Sequence, residues 1–271
     1  MTPTSNKPSK DLFRILVFSK TSDYRHNSIS AAVSALKSLG ARSGLFTVDA
    51  SEDAEACITP RSLATYRTIV FLHCTGPFLN ADQIGVLRGY VQSGGGFVGV
   101  HAAAAGLLED DWYGRLIGAH FDHHPPPEEA TCVVEDPGHF VMRRGLDPGK
   151  TLAGTADVTR KRWTDEWYNF RSHPRENENL HILVRGDPST FEGGAMGDDH
   201  PLAWCQEFDG GRSFYSALGH YEKAYEDEWF MDTISNAIVW TARREDDVRP
   251  KSPSSSASVR EVLDRHREHG S

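Results

Sequence analysis

The first hundred residues alternate between short apolar runs and amphipathic helical patterns, which strongly limits the possible folds. The first of these runs, at residues 12–20, has almost no polar residue in its middle, as is typical of a parallel strand buried on both faces. Strands that alternate with helices form parallel sheets with helices on both faces, so an α/β fold is predicted. The predicted strands span residues 12–20, 44–50, 68–74 and 96–100.

The helices between these strands have clear start and stop signals. Ser28 can cap a first helix, which is predicted to end at Gly40. Thr59 and Pro60 form a typical helix start, and Asn80 begins a capping box for a third helix. Ligands of such sheets bind at the carboxyl ends of the strands, so a site is expected in the loops that follow them.

The second half of the chain is less regular. Strands are predicted at residues 130–136 and 180–186, and a hairpin is predicted to turn at Asp209–Gly211. Residues 162–175 are rich in aromatic and histidine side chains, and we expect a turn-rich segment there. Residues 227–244 form the predicted last helix, acidic at its start and basic at its end, as the helix dipole favours.

Composition separates a central domain from two polar ends. Residues 1–11 are predicted to be disordered, residues 12–244 to form one domain, and residues 245–271 to form a flexible polar tail. Ser- and Pro-rich sequence buries too little apolar surface to offset the entropy lost on ordering. The tail also contains a short amphipathic pattern that includes Val259 and Leu263.

Overall composition excludes several classes of partner. The chain has 271 residues, 38% hydrophobic content and a formal net charge of −9, which argues against a nucleic-acid-binding face. No signal peptide and no run of roughly 18 apolar residues is visible, so no membrane association and a cytoplasmic location are expected. The oligomeric state stays open, with a homo-oligomer as one option. The four cysteines lack CxxC spacing, so reduced and mostly buried thiols are expected.

Three histidines follow predicted strands and suggest a metal site. His26, His101 and His220 each lie where an apolar run ends, and Glu166 is the best carboxylate to join them. Neutral imidazoles and a carboxylate that converge from one side suit a divalent ion such as Zn²⁺ or Mn²⁺. We therefore predict one divalent metal on these four residues. A purely structural hydrogen-bonding role stays open for each histidine taken alone.

Other polar residues allow two interpretations each. Arg25 either holds an anionic or hydroxylated ligand or forms a surface ion pair. Trp167 and Tyr168 either offer ring faces to a sugar or belong to the core. The glycine run at residues 94–96 lacks the P-loop pattern and does not open a helix, so no nucleotide cofactor is expected.

A set of motifs resembles a known family. Five motifs and the closing helix occur in order and together cover roughly residues 12–243. The motifs are "YRHNSI", "GGGFVGVHAAA", "WYGRLIGAHFDHHP", "TDEWYNF" and "DHPLAWCQEFDGGRSFYSALGH". They resemble the ThuA-like (trehalose utilisation) family, a branch of the class I glutamine amidotransferase-like superfamily. The resemblance implies a flavodoxin-like, mostly parallel sheet with helices on both faces. It also implies a role in sugar catabolism, often beside oxidoreductases that make 3-keto sugars.

The resemblance also bears on the reaction. Amidotransferases of this superfamily carry a catalytic cysteine at the turn after the central strand, and here His101 holds that place, followed by alanines. Glutamine hydrolysis is therefore not expected, because the thiolate nucleophile is missing. His124 precedes a proline, and the resemblance places a His-Pro pair beside the site. We expect His101 itself to be an exposed side chain in the site cleft.

These observations lead to two hypotheses about function. In the first, the protein is an enzyme acting on a small-molecule sugar or keto-sugar, and the metal polarises a ring carbonyl. Asp165 or His124 then moves the proton beside that carbonyl, and His101 takes part in catalysis, so that isomerisation or elimination of a glycosidic group follows. In the second, the protein is a non-catalytic carbohydrate-binding module on an amidotransferase-like scaffold.

Overall fold

A computed structural model describes residues 11–143 and 159–248. It contains one large sheet of nine strands and a separate two-stranded ribbon. The strands in chain order are β1 (Phe13–Phe18), β2 (Phe46–Ser51), β3 (Thr68–Leu72), β4 (Gly96–Val100), β5 (Phe121–His123), β6 (Glu128–Val134), β7 (Arg160–Asp165), β8 (Asn169–Phe170), β9 (His181–Gly186), β10 (His200–Phe208) and β11 (Gly211–Ser216).

The large sheet has a parallel half and an antiparallel half. Its strand order is β2-β1-β3-β4-β11-β10-β9-β6-β7. The pairs from β2 to β11 are parallel, and the pairs from β11 to β7 are antiparallel. β3 and β4 are buried along their whole length, as expected for central strands covered on both faces. The predicted α/β, flavodoxin-like architecture is confirmed.

Six helices cover the sheet within the described residues. They are α1 (Ile29–Ser43), α2 (Ala54–Cys57), α3 (Pro60–Leu63), α4 (Ala81–Gln92), α5 (Asp111–Ile117) and α6 (Glu228–Thr241). No helix of the described segments is long and apolar enough to cross a membrane.

Two glycines of β4 show how closely the helices approach from opposite sides. A Cβ atom on Gly96 would lie 2.6 Å from the carbonyl oxygen of Thr241 in α6. A Cβ atom on Gly99 would lie 2.3 Å from Cδ1 of Ile117 in α5. Residues 96 and 99 face opposite sides of a strand, so α5 and α6 pack on the two faces of the sheet.

The predicted helix starts are confirmed at α3 and α4, but the predicted end of α1 is wrong. Thr59 accepts a hydrogen bond from the amide of Ser62, and the capping box of Asn80 is complete. α1 continues through Gly40 and ends at Gly44, which has a φ of +62°. Gly40 serves close packing instead, because its Cβ position lies 2.8 Å from the carbonyl oxygen of Phe46.

The segment predicted to be turn-rich contains sheet structure. β7 is an edge strand of the large sheet, and β8 pairs with β5 in the ribbon. Trp163 and Asp165 point inward from β7, while Arg162 and Thr164 are exposed. Lys161 and Asp165 are charged residues on the inward side of this alternation, so they hide the apolar-polar pattern by which strands are predicted.

Two residues after the predicted boundary at residue 244 contact the rest of the described structure. Arg212 forms an ion pair with Glu245, and Val248 packs partly buried against the core. Residues 1–10, 144–158 and 249–271 lie outside the described segments, as do Val259 and Leu263 of the predicted amphipathic pattern.

Candidate metal centre at the sheet edge

The site is built from loops that follow the parallel strands. β1, β3, β4 and β11 end at one edge of the sheet, and the segments after them carry His26, His73, His101 and His220. Glu166 follows β7 directly. The strand order thus brings together side chains that lie far apart along the chain.

The structure places the four predicted metal ligands in one cluster, here called the quartet: His26, His101, Glu166 and His220. One ligand atom from each residue lies within 4.8 Å of the others. Oε2 of Glu166 is 3.2 Å from Nε2 of His101 and 3.2 Å from Nδ1 of His220. The ring centroid of His26 lies 4.9 Å from the ring centroid of His101 and 5.2 Å from that of His220.

His101 is fully buried, so the expectation of an exposed cleft side chain is wrong. It opens a short 3-10 turn after β4, with a φ of +51°. Its Nδ1 lies 2.6 Å from the carbonyl oxygen of Ala217, which can only accept a hydrogen bond, so Nδ1 carries a proton. In the neutral ring Nε2 then has a free lone pair, 2.9 Å from the hydroxyl of Tyr168. Segments distant in sequence therefore enclose the ring.

Electrostatics favour the metal-binding forms of His26 and Glu166. Burial lowers the pKa of His26 to about 3, so its ring is neutral at physiological pH. Burial raises the pKa of the Glu166 carboxyl, but the imidazole rings of His101 and His220 close beside it outweigh this and hold that pKa well below its usual range. Neutral imidazoles and an ionised carboxylate are the forms that coordinate divalent ions.

Two histidine nitrogens of the quartet have no hydrogen-bond partner although both are buried. They are Nδ1 of His26 and Nδ1 of His220. Nδ1 of His220 is close to Glu166 but is not aligned for a hydrogen bond. The proximity of Glu166 still raises the pKa of His220 against the lowering effect of its burial. Unpaired buried polar atoms are uncommon in folded proteins and point to a missing partner.

Asp165 is fully buried and contacts the backbone of the quartet residues Glu166 and His220. Its carboxylate accepts hydrogen bonds from the indole of Trp163 at 2.8 Å and the amide of Gly219 at 2.8 Å. It also accepts from the amides of Glu166 at 2.9 Å and His220 at 3.2 Å. Asp165 thus fixes the backbone of two quartet residues.

One histidine of the loop around β5 reaches the quartet. Nε2 of His124 lies 3.3 Å from Oε1 of Glu166, and its side chain is 31% exposed. His123 instead pairs with Asp122 at the surface. His124 therefore lies beside the quartet, where the resemblance implies a His-Pro pair.

His73 is a further member of the site and was not among the candidate residues predicted from the sequence. It is fully buried with a φ of +54°, and its Nε2 lies 2.7 Å from the hydroxyl of Tyr225. Its ring packs against those of His26 and His101, with centroid distances of 4.7 Å and 5.2 Å. Its position after β3 matches the pattern that identified His101.

The three predicted sugar-binding residues have different environments. Trp167 is fully buried, stacks on Phe191 and donates its indole N–H to a backbone carbonyl, as a core residue does. Tyr168 is also buried, but its hydroxyl contacts His101. Arg25 forms the surface ion pair that was the alternative interpretation, 2.7 Å from Glu52.

The protein is expected to release no ammonia from glutamine. His101 occupies the turn after β4, where the resemblance implies the cysteine of an amidotransferase, and Cys74 is fully buried after the neighbouring strand. Burial raises the pKa of the Cys74 thiol well above its usual value, so it is not a nucleophile at neutral pH. A glutaminase assay checks this prediction, and ammonia release that disappears in Cys74→Ser would contradict it.

An open cleft of about 770 Å³ adjoins the quartet. His220 forms part of its wall, together with residues of β7 and of the turn after His220. The cleft therefore meets the quartet at His220.

Comparisons with known proteins agree with this architecture. None of the curated proteins compared with the chain is significantly similar to it. A ThuA-like protein from Bacteroides uniformis ATCC 8492 has a similar structure, with a TM-score of 0.67 and 20% identity over 88% of this chain and 95% of its own. A ThuA-like protein from Parabacteroides merdae ATCC 43184 gives a TM-score of 0.64 and 19% identity over 86% and 90%.

The fold also occurs within a larger protein. The beta-galactosidase from Bacillus circulans sp. alkalophilus matches with a TM-score of 0.50 and 12% identity, over 88% of this chain and 32% of its own. Identities this low show the fold alone. The sequence comparison is more specific: the family described as "ThuA: Trehalose utilisation" matches residues 14–241. That match spans most of the sequence, and the chain belongs to the ThuA family.

Proposed function

We propose that this protein is a metal-dependent enzyme that acts on a sugar or 3-keto-glycoside by isomerisation or elimination. The observation that carries the proposal is the convergence of the four quartet residues within 4.8 Å. They come from four separate segments, so the fold as a whole assembles the site. The family description, trehalose utilisation, supports a carbohydrate as substrate.

The quartet fits a divalent ion in donor type and in its surroundings. Imidazole nitrogens and a carboxylate oxygen suit Zn²⁺ and similar ions. Metal-ligating histidines usually donate their second ring N–H to a carbonyl or carboxylate, and His101 donates to the carbonyl of Ala217. A bound ion would also provide a partner in the region where the buried nitrogens of His26 and His220 have none.

The reaction that we propose uses the acidity of a carbon next to a ketone. In a 3-keto-glycoside, a base removes the proton at C2, and the electron pair forms an enediolate with the C3 carbonyl. When the carbonyl re-forms, a C1–C2 double bond forms and the C1–O bond breaks, so that the aglycone leaves and takes up a proton. A divalent ion would stabilise the negative charge on the carbonyl oxygen.

The chain's own residues have distinct parts in this scheme. His124 is the candidate proton carrier, because its imidazole is partly exposed and lies 3.3 Å from Glu166. Asp165 accepts four hydrogen bonds and is buried, so we assign it to positioning Glu166 and His220 rather than to proton transfer. Burial raises the pKa of Tyr168 well above its usual value, so its hydroxyl remains a hydrogen-bond donor.

The test is turnover of a chromogenic substrate, 4-nitrophenyl 3-keto-glucoside, by the full-length protein. We expect release of 4-nitrophenol that stops after treatment with a chelator and returns when Zn²⁺ or Mn²⁺ is added. His124→Ala should lower kcat by about 10²- to 10⁴-fold with the metal content unchanged. His123→Ala is the matched control, because that neighbouring imidazole pairs with Asp122 at the surface.

Two results would contradict the proposal. Turnover that is insensitive to the chelator would exclude the metal from the reaction. Binding of the 3-keto-glucoside without any turnover by metal-loaded protein would favour the carbohydrate-binding module instead.

A further inference from the structure

Two exposed tyrosines flank the open side of the quartet. Among the large hydrophobic side chains of the described segments, only Leu12, Tyr24 and Tyr221 are prominently exposed, at 52%, 61% and 39%. Tyr24 and Tyr221 both line the 770 Å³ cleft. Leu12 precedes β1 and lies at the opposite edge of the sheet. Exposed aromatic rings that gather at one cleft are typical of a binding site.

Both tyrosines are held on ordered backbone next to quartet residues. The ring of Tyr24 is nearly perpendicular to that of His26, and their centroids are 4.8 Å apart. The ring of Tyr221 is likewise nearly perpendicular to that of His220, with a centroid distance of 4.6 Å. The carbonyl of Tyr24 accepts a hydrogen bond from the hydroxyl of Thr75 at 2.8 Å. The carbonyl of Tyr221 accepts one from the amide of Ala224 at 3.0 Å. The rings are therefore positioned before a ligand binds, which lowers the entropy cost of binding.

The charges of the cleft wall balance. Lys161 pairs with Asp227 at 2.6 Å, and Arg162 pairs with Glu129. A phosphorylated ligand is held by an excess of cations, whereas a wall whose cations and carboxylates are equal in number suits a neutral polyhydroxylated ligand. Apart from His220, the cationic side chains of the wall are Lys161, Arg162 and Lys223, and the carboxylates are Glu129, Glu222 and Asp227.

We propose that Tyr24 and Tyr221 bind the rings of an uncharged glycoside and hold its glycosidic bond beside the quartet. This inference rests on the proposed function and specifies its substrate as an unphosphorylated compound of two rings. A cleft of about 770 Å³ is in the range that encloses drug-sized ligands, and a disaccharide has that size. The C–H faces of sugar rings pack on aromatic faces, while their hydroxyls bond to the polar wall.

Calorimetric titration of the full-length protein with trehalose tests this assignment. Trehalose has two uncharged rings and lacks the 3-keto group, so binding is measured without turnover. We expect Tyr24→Ala and Tyr221→Ala each to weaken trehalose binding about tenfold, and the Tyr→Phe variants to retain most of it. Leu12→Ala is the matched control and should bind like the wild type. Trehalose 6-phosphate should bind more weakly than trehalose.

For the 3-keto substrate, the two alanine variants should raise KM about tenfold with kcat and metal content nearly unchanged. Alanine variants with wild-type affinity, absence of trehalose binding, or tighter binding of the 6-phosphate would each overturn the tyrosine assignment. If turnover remained metal-dependent in any of these cases, the proposed function would stand. Conversely, sugar binding that depends on both tyrosines in a protein without metal or turnover would refute only the proposed function.

Discussion

Replacing His101 by alanine is expected to lower the free energy of unfolding by about 3 kcal/mol and to abolish metal binding. The imidazole is fully buried between the carbonyl of Ala217 and the hydroxyl of Tyr168, and its loss leaves both groups without this partner. Alanine is also strained at the φ of +51° found here. Urea unfolding and titration with Zn²⁺ measure the two effects.

Two further variants separate the structural role of His101 from its role in metal binding. His220→Ala should also abolish metal binding but cost less than about 1 kcal/mol, because that side chain is 18% exposed. His101→Asn should recover part of the stability without the metal, because asparagine tolerates a positive φ. If His101→Ala unfolded at the wild-type urea concentration and still bound Zn²⁺, His101 would have neither role.

Replacing Asp165 by asparagine is expected to lower the free energy of unfolding by about 2–4 kcal/mol. Each carboxylate oxygen accepts two N–H groups, so an amide NH₂ in place of either oxygen would face two donors. Metal affinity should fall about 10- to 100-fold, because the amides of Glu166 and His220 lose their common acceptor. Unfolding curves and Zn²⁺ titration of the variant measure both changes.

Glu129→Gln is the matched control for this substitution. Glu129 pairs with Arg162 on the neighbouring strand, but both side chains are more than half exposed. Exposed ion pairs contribute at most about 1 kcal/mol, so this variant should keep its stability and its metal affinity. An Asp165→Asn protein that matched Glu129→Gln in both measurements would show that Asp165 does not position the quartet.

Local sequence patterns were sufficient to predict much of the fold. The helix starts at Thr59 and Asn80 and the hairpin at Asp209–Gly211 each depend on a few adjacent residues, and the structure contains all three. Strand alternation also indicated which loops meet at one edge of the sheet. Because the quartet lies in segments that follow strands, its members could be proposed from the sequence.

Features that depend on distant contacts could not be predicted in the same way. The burial of His101 results from Tyr168 and Ala217, which lie 67 and 116 residues away along the chain. Trp167 resembles a ligand-binding aromatic in sequence, but its stacking on Phe191 places it in the core. Tyr24 becomes a candidate only when its exposure beside His26 is known. No local periodicity encodes such pairings.

Anomalous diffraction shows whether His26, His101, Glu166 and His220 hold a divalent ion, as we propose. Crystals of the full-length protein would be soaked with Zn²⁺ or Mn²⁺ and measured at the absorption edge of the metal. We predict one strong anomalous peak among the four side chains, about 2.0–2.2 Å from their ligand atoms. Soaked crystals that show the four side chains in place with no anomalous peak between them would mean that the quartet is not a metal site.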